Sequence, residues 1–371
     1  MTGPSGGSPT STKTPVVWAL LGRRTGDNLQ VEALADALGW SFERKTLSYR
    51  RRYFTWTPFY GRMKPSLAPL TTASRTQLAP PWPDLVVSIG WRSPPVARWI
   101  AQQGGSRLIA IGRPRAPLDY FDLVLTTPQY RLPEADNLVQ LDAPVTRLSP
   151  AALDAAAEKW RDRFAHLPRP WIAVLVGGNA VPFRLTVAAA TRLGAMANEF
   201  ARERRGSLLI ATGPRTPPDA AQALLSRIDV ASYQYLWGSG DENPYFGFLA
   251  LADDLIVTSE SISMVHEAAL SGKPVHLFDV PMIGGWFLRG LIKLDKYLQS
   301  SAGGISERYR RLIHAGWICP PRDVEAFYSN LITSGHATRL GDPTPTAVRA
   351  TQVTDRDRAV SAIRRLLAPI G

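Results

Sequence analysis

Three serines and a glutamate hold the densest chemistry of this sequence. Ser259, Ser261, Ser263 and Glu267 lie within Ala252–Val280, ADDLIVTSESISMVHEAALSGKPVHLFDV. Each serine is a good helix N-cap. A helix N-terminus offers unpaired N–H groups and the positive end of a dipole, which together hold a phosphate. Glu267 falls one turn beyond Ser263 on the same helical face. A carboxylate there can accept two hydrogen bonds from a ribose diol. Phosphate and ribose on one short helix predict a nucleotide site at the end of a parallel strand. The alternative is a capped α/β helix with a surface glutamate.

Three other groups of residues fit around such a site. Gly177-Gly178-Asn179 follows an apolar strand and can let backbone approach a diphosphate; a plain tight turn reads the same way. Thr212-Gly213-Pro214-Arg215 follows another strand, and Arg215 can meet a phosphate. Asp27, in Gly22-Arg23-Arg24-Thr25-Gly26-Asp27-Asn28-Leu29-Gln30, sits where the first strand opens into a helix. It can be the general base for an incoming hydroxyl, or the N-cap of its helix. That segment lacks both GxGxxG and GK[ST], so it is neither a dinucleotide fingerprint nor a P-loop. The five histidines show no metal spacing, no GxSxG elbow follows a strand, and Cys319 is the one cysteine. Structural zinc and internal disulfides are thereby excluded. His266, beside Glu267, reads as a structural or surface residue.

The elements that must position these groups alternate. Val16–Leu21, Ser41–Leu47, Asp84–Ile89, Arg107–Gly112 and Asp122–Thr126 read as strands, with helices over Leu29–Leu38 and Pro95–Gln103. A second series runs Trp171–Val176, Thr186–Glu203, Ser207–Thr212, Pro218–Ile228, Leu255–Thr258, Met264–Leu270 and Val275–Phe278. Strand–helix alternation marks parallel α/β architecture. Gly39 and Gly272 suit helix C′ positions.

The chain of 371 residues is long enough for two such units, and an apolar fraction of 45% with 11 Trp supplies their cores. Residues 1–14 are Gly, Ser, Thr and Pro without an apolar core, and are expected to be a loose tail rather than a signal peptide. No apolar run approaches the roughly 20 residues of a membrane span. The net charge of +12, carried mostly by Arg, favours acidic partners. Within Tyr49–Leu70, Arg50, Arg51 and Arg52 sit among Tyr53, Phe54, Trp56, Phe59 and Tyr60. Such a mixture suits an anionic membrane interface, single-stranded nucleic acid, or a long packed loop. Gly285–Lys293, GWFLRGLIK, is a second segment of this kind.

Together these segments resemble the GT-B glycosyltransferases. ADDLIVTSESISMVHEAALSGKPVHLFDV is similar to that superfamily's donor motif, which runs from a strand through a Ser/Gly turn to a helix Glu before GKPV. Thr25-Gly26-Asp27-Asn28 resembles the SGD turn of lipid-A-disaccharide synthase. More closely, Thr25–Gly39, Pro83–Ala97, Leu175–Asn179, Thr212–Pro217 and Ser259–Val275 resemble the mitochondrial fission ELM-like family, whose bacterial members group with glycosyltransferases. The chain departs from the superfamily in lacking a Gly-rich first loop with a catalytic His. It also carries Asn179-Ala180-Val181-Pro182 where a Ser/Gln pair is usual.

The resemblance implies two Rossmann-like domains facing across a cleft: an acceptor domain over 15–150, a nucleotide-sugar domain over 151–338, and a loop and closing helix over 339–371 that packs back on the first. It implies a metal-independent transferase that moves a sugar from a nucleoside-diphosphate sugar, a substrate rather than a cofactor, to a lipid-linked or cell-surface glycan. Asp27 is the expected base, with Gly26, Asn28 and Gln30 on the acceptor side. Gly177, Gly178, Asn179, Thr212, Arg215, Ser259, Ser261, Ser263 and Glu267 are expected around the donor. Arg50, Arg51, Arg52, Phe54 and Trp56 would touch an anionic membrane, so the expected location is cytoplasmic, peripheral on the inner membrane face. Two other readings remain open: a non-catalytic GT-B-like membrane-associated protein, and a nucleotide-sugar epimerase.

Overall fold

Short apolar runs bounded by glycine and polar turns become strands buried on both faces, the pattern of a parallel sheet. The computed structural model describes residues 14–50, 60–300, 303–343 and 353–367. Its first half contains β1 (Val17–Leu21), α1 (Thr25–Leu38), β2 (Phe42–Thr46), α2 (Thr72–Arg75), β3 (Leu85–Ile89), α3 (Pro94–Gly104), β4 (Arg107–Ile111), β5 (Leu123–Thr126) and β6 (Leu138–Gln140). These six strands form one parallel sheet in the order β2-β1-β3-β4-β5-β6. The side-chain period of two divides β1 between two cores. Val17, Ala19 and Leu21 face one way with Val31 and Leu34 of α1, while Trp18 and Leu20 face the other with Val96 and Ile100 of α3. β2, with its Glu-Arg-Lys centre, is the edge strand, where charge blunts further pairing.

The second half holds α4 (Pro150–Phe164), β7 (Trp171–Gly178), α5 (Val187–Glu203), β8 (Ser207–Arg215), α6 (Pro218–Leu225), β9 (Ser232–Tyr235), α7 (Tyr245–Leu251), β10 (Asp254–Thr258), α8 (Ile262–Leu270) and β11 (Val275–Phe278). After these come α9 (Gly285–Ser300), α10 (Gly304–His314), α11 (Val324–Thr333), β12 (Thr338–Arg339) and α12 (Val353–Leu367). A second six-stranded parallel sheet follows the order β12-β11-β10-β7-β8-β9. The architecture is therefore α/β and GT-B-like, with two Rossmann-like sheets. Trp160 and Phe164 place α4 in the second core. Ala359, Ala362 and Ile363 return α12 to the first, against α1.

Serine and threonine caps hold two helices as their sequences suggest: Ser149 accepts from Ala152 N and Thr186 from Ala189 N, each at 3.2 Å. Gly39 (φ 71°) and Gly272 (φ 73°) take the left-handed conformation that ends α1 and α8. Three expectations need correction. β7 and β8 run on through Gly178 and Arg215, so Gly177-Gly178 is paired strand rather than a tight turn. Asp27 does not cap α1; Arg24 occupies the N-cap position without a side-chain bond. No serine side chain caps α8, which starts at Ile262 with Ser261 at its N-cap.

Candidate functional site

In an open parallel sheet, ligands bind beyond the C-terminal ends of strands at the point where the strand order reverses. The first sheet reverses between β1 and β3, and the second between β7 and β10. The β1–α1 turn therefore lies at one switch point. The ends of β7 and β10, with the start of α8, lie at the other. Asp27 lies in the helical turn that follows β1, and Ser261, Ser263 and Glu267 lie at or within α8, which follows β10.

On the first wall the turn is locked by Asn28. Its Oδ1 accepts from Gly22 N at 2.7 Å and its Nδ2 donates to Gly22 O at 2.9 Å. Asn28 is thus committed to holding the turn. Gln30 makes only a long bond, 3.4 Å, to Gly26 O. Asp27, one residue before Asn28, is half-buried and makes no hydrogen bond or ion pair among the described residues. Burial pushes its carboxyl above the ordinary aspartate range, while the guanidinium groups of Arg24, Arg322 and Arg215 pull it back. Arg215 and Arg322 belong to the second half, so Asp27 looks across the cleft at cations.

On the second wall, backbone presses on backbone. Gly177 N donates to Thr258 Oγ1 at 2.9 Å, and Asn179 N donates to Arg215 O at 2.9 Å. A Cβ on Gly178 (φ 102°) would stand 2.2 Å from Arg215 O, so only glycine fits there. Asn179 Oδ1 accepts from Leu185 N at 2.9 Å, which turns this side chain back on its own loop. Thr212 and Ser259 are buried and committed to backbone: Thr212 Oγ1 accepts from Trp237 N at 2.9 Å, and Ser259 Oγ from Val280 N at 3.1 Å. The structure does not bring these two hydroxyls to the cleft. Ser261 and Ser263, half-buried at the start of α8, make no hydrogen bond through their hydroxyls among the described residues. Together with the first N–H groups of α8 and the unpaired Arg215, they can receive a phosphate.

Glu267 stands behind this surface. Its Oε1 accepts from Thr146 Oγ1 at 2.7 Å and its Oε2 from Tyr245 OH at 2.6 Å. Burial raises its carboxyl above the usual range, against the pull of these two hydroxyls. Two hydroxyls, one on each oxygen, is the pattern a ribose diol would present. Each oxygen keeps a further lone pair.

Glu260 is the residue that sequence reasoning missed. It lies in the turn between β10 and α8, 2% exposed, and neither carboxylate oxygen has a well-formed hydrogen bond. Burial pushes its carboxyl up to about 7; the nearby backbone N–H groups, the Thr258 hydroxyl and the Arg215 charge restrain it. An acid between serines reads as solvated loop, so only its place between a buried strand and a helix hinted at burial. Arg113 and Arg322 were missed as well. Their guanidinium carbons lie 5.7 and 5.8 Å from the Tyr130 ring centroid, and neither makes an ion pair among the described residues. Arg113 Nη1 and Arg322 Nε are buried without partners. A buried guanidinium nitrogen without a partner is costly, and an anion between the halves would satisfy it.

His266 packs its ring 6.4 Å from that of Phe327, and burial lowers its pKa to about 4, so it is neutral at pH 7. Among the described residues no three His, Cys, Asp or Glu side chains gather into a metal-binding group. Arg50 donates its backbone N–H to Pro69 O at 2.8 Å. Arg51, Arg52, Phe54 and Trp56 lie outside the described residues.

The chain is 27% identical over 220 residues to mitochondrial fission protein ELM1 of Arabidopsis thaliana, covering 53% of this chain and 51% of that protein. It thus spans about half the length of that relative. An uncharacterized protein of Rickettsia prowazekii (strain Madrid E) is 22% identical over 300 residues, covering 71% of this chain and 83% of that one. Likenesses to solved structures are weak. A UDP-GlcNAc 2-epimerase of Methanocaldococcus jannaschii has a TM-score of 0.46 at 11% identity, covering 94% of this chain and 99% of that one. MurG of Acinetobacter baumannii has a TM-score of 0.44 at 14% identity, covering 95% of this chain and 99% of that one. The model of the family described as mitochondrial fission ELM1 matches residues 25–298, and the chain belongs to that family.

Proposed function

We propose that the cleft binds a nucleoside-diphosphate sugar on its second wall and transfers the sugar to a hydroxyl held on its first. The observation that carries this reading is a half-buried carboxylate, Asp27, that makes no ion pair among the described residues and lies within the electrostatic influence of Arg215 and Arg322 from the opposite half. The diphosphate takes Arg215, the α8 N-terminus and the hydroxyls of Ser261 and Ser263; the ribose takes Glu267. The acceptor oxygen attacks the anomeric carbon and its proton passes to Asp27. The bond from that carbon to the diphosphate breaks, and the electron pair leaves with the diphosphate. Arg215 and the helix N–H groups stabilise the growing negative charge, so this mechanism calls for no metal ion. Burial raises the Asp27 carboxyl above the ordinary aspartate range, which makes it a better proton acceptor than an exposed aspartate. The acceptor class is a lipid-linked or cell-surface glycan, and the site of action is the cytoplasmic face of a membrane.

Isothermal titration with UDP, GDP and CMP tests the donor site, and nucleotide release from the matching sugar donors tests transfer. Binding of one nucleotide, weakened at least tenfold by Glu267→Ala, is expected. Asp27→Asn is expected to abolish transfer and leave nucleotide affinity within twofold. No binding by any nucleotide overturns the reading.

A non-catalytic membrane-associated role is the second reading. It is favoured by the engagement of Glu267, each of whose oxygens already accepts one hydroxyl, from Thr146 and from Tyr245. It expects lipid or protein binding with no nucleotide release from any donor.

A further inference from the structure

α9 buries its one acid and turns a row of large apolar side chains to water. Its single acid, Asp295, is 2% exposed and points into the protein. There Asp295 Oδ2 accepts from Arg131 Nε at 2.6 Å, its Oδ1 accepts from Tyr309 OH at 2.9 Å, and Gln299 Nε2 reaches both oxygens. Asp295 and Gln299 thus anchor α9, beside the half-buried Leu288, Ile292 and Leu298. The opposite side carries Trp286 (79% exposed), Phe287, Leu294 and Tyr297 (67% exposed), with Leu291 at its margin. At 100° per residue these side chains fall on one arc, and Arg289, Lys293 and Lys296 fall on the arc beside it.

The apolar surface extends past the helix. Ile283 N donates to Pro182 O at 2.9 Å, and Phe183 bridges to Met282. This sets Val181 (96% exposed) and Ile283 (64% exposed) side by side at the start of α9. Water-facing stripes of this size mark interaction sites. The charge pattern selects the occupant. The outward side of α9 bears no carboxylate, its cations flank the stripe, and Trp and Tyr are the residues that settle at a membrane–water boundary. No helix among the described residues is long and apolar enough to cross a membrane.

The geometry points to α9 as an interfacial helix that docks the protein on an anionic lipid surface, with Trp286, Phe287 and Leu294 inserted and Arg289 and Lys293 on the headgroups. The loop that carries Val181 continues directly from Gly177-Gly178-Asn179. Docking therefore sets the second wall of the cleft close to the lipid. The inference does not depend on sugar transfer, since it concerns binding alone.

Co-sedimentation of the full chain with vesicles of phosphatidylglycerol and phosphatidylethanolamine, compared with neutral phosphatidylcholine vesicles, tests it. The expected result is binding to the anionic vesicles, lowered at least tenfold by Leu294→Glu and by the pair Trp286→Ala, Phe287→Ala. Arg289→Glu with Lys293→Glu is expected to remove the preference for anionic lipid. Circular dichroism confirms that each variant folds. Three results overturn the inference: no vesicle binding by the native chain, α9 variants that bind like the native chain, or self-association abolished by Leu294→Glu without vesicle binding. Nucleotide titration on the same variants reads the donor site separately and is expected to be unchanged.

Discussion

Glu260 leans on Gly177 so closely that a Cβ added to Gly177 would stand 2.0 Å from Glu260 Oε1. The neighbouring atoms leave little slack, because Met264 Sδ would lie 3.3 Å from the same Cβ. Gly177→Ala therefore overpacks the end of β7 and is expected to cost about 1–3 kcal/mol. If Glu260 is the obstacle, Glu260→Ala recovers most of that loss in the double variant. Urea denaturation of the two single variants and the double variant measures the coupling. Strict additivity would show that the clash lies elsewhere.

The carboxyl of Glu260 should also shape stability against pH. Its folded pKa, about 7, lies above the ordinary 4.5. Between these values the folded chain keeps a proton that the unfolded chain has lost, so stability falls as pH rises. The loss approaches about 3 kcal/mol when complete, at roughly 1.4 kcal/mol for each pH interval of one between the two values. Glu260→Gln, which cannot ionise, is expected to gain on the native chain from pH 4.5 to 7 and to hold that gain above. Parallel stability profiles of the two proteins would contradict this.

His266 should act in the opposite sense. Burial lowers its pKa from 6.5 to about 4, so the unfolded chain takes up a proton that the folded chain refuses. Its contribution is present above pH 6.5 and is lost as pH falls toward 4. His266→Phe keeps the ring that packs on Phe327 and removes the titration. The variant is expected to lose less stability than the native chain between pH 6.5 and 4, by up to about 3 kcal/mol. Melting temperatures across that range check it.

The central strands are legible because parallel sheets demand continuous apolar runs, as in Leu85-Val86-Val87 and Ile172-Ala173-Val174, whereas the short outer strands β6, β9 and β12 carry no such run. Gly39 and Gly272 are legible because a left-handed C′ position selects glycine. The fates of the polar side chains are not. Ser259 and Ser261 look alike in sequence, yet one holds Val280 N and the other faces the cleft, a difference made by residues far along the chain. Asn28, expected on the acceptor side, instead holds the backbone of Gly22 through both ends of its amide. The aromatic and cationic character of α9 is plain in its sequence, but its anchoring by an acid is not, because Arg131 lies 164 positions away from Asp295.

The two hydroxyls on Glu267 make a prediction that separates its structural work from ligand binding. Thr146 belongs to the segment joining the halves and Tyr245 to α7, so Glu267 ties both to α8. Removing either donor leaves a buried carboxylate oxygen less satisfied, at a cost of about 1–3 kcal/mol of stability. If a ribose diol takes the same oxygens, it must displace or share these hydroxyls. Thr146→Val then removes one competitor, and nucleotide affinity is expected to rise by about five- to tenfold, the equivalent of one modest hydrogen bond. Tyr245→Phe should act the same way. Titration of UDP and GDP into each variant, alongside urea denaturation, decides it. A fall in affinity would mean that Thr146 and Tyr245 hold Glu267 in place for the ligand. A rise together with lost stability would mean that the ribose takes the place they now occupy.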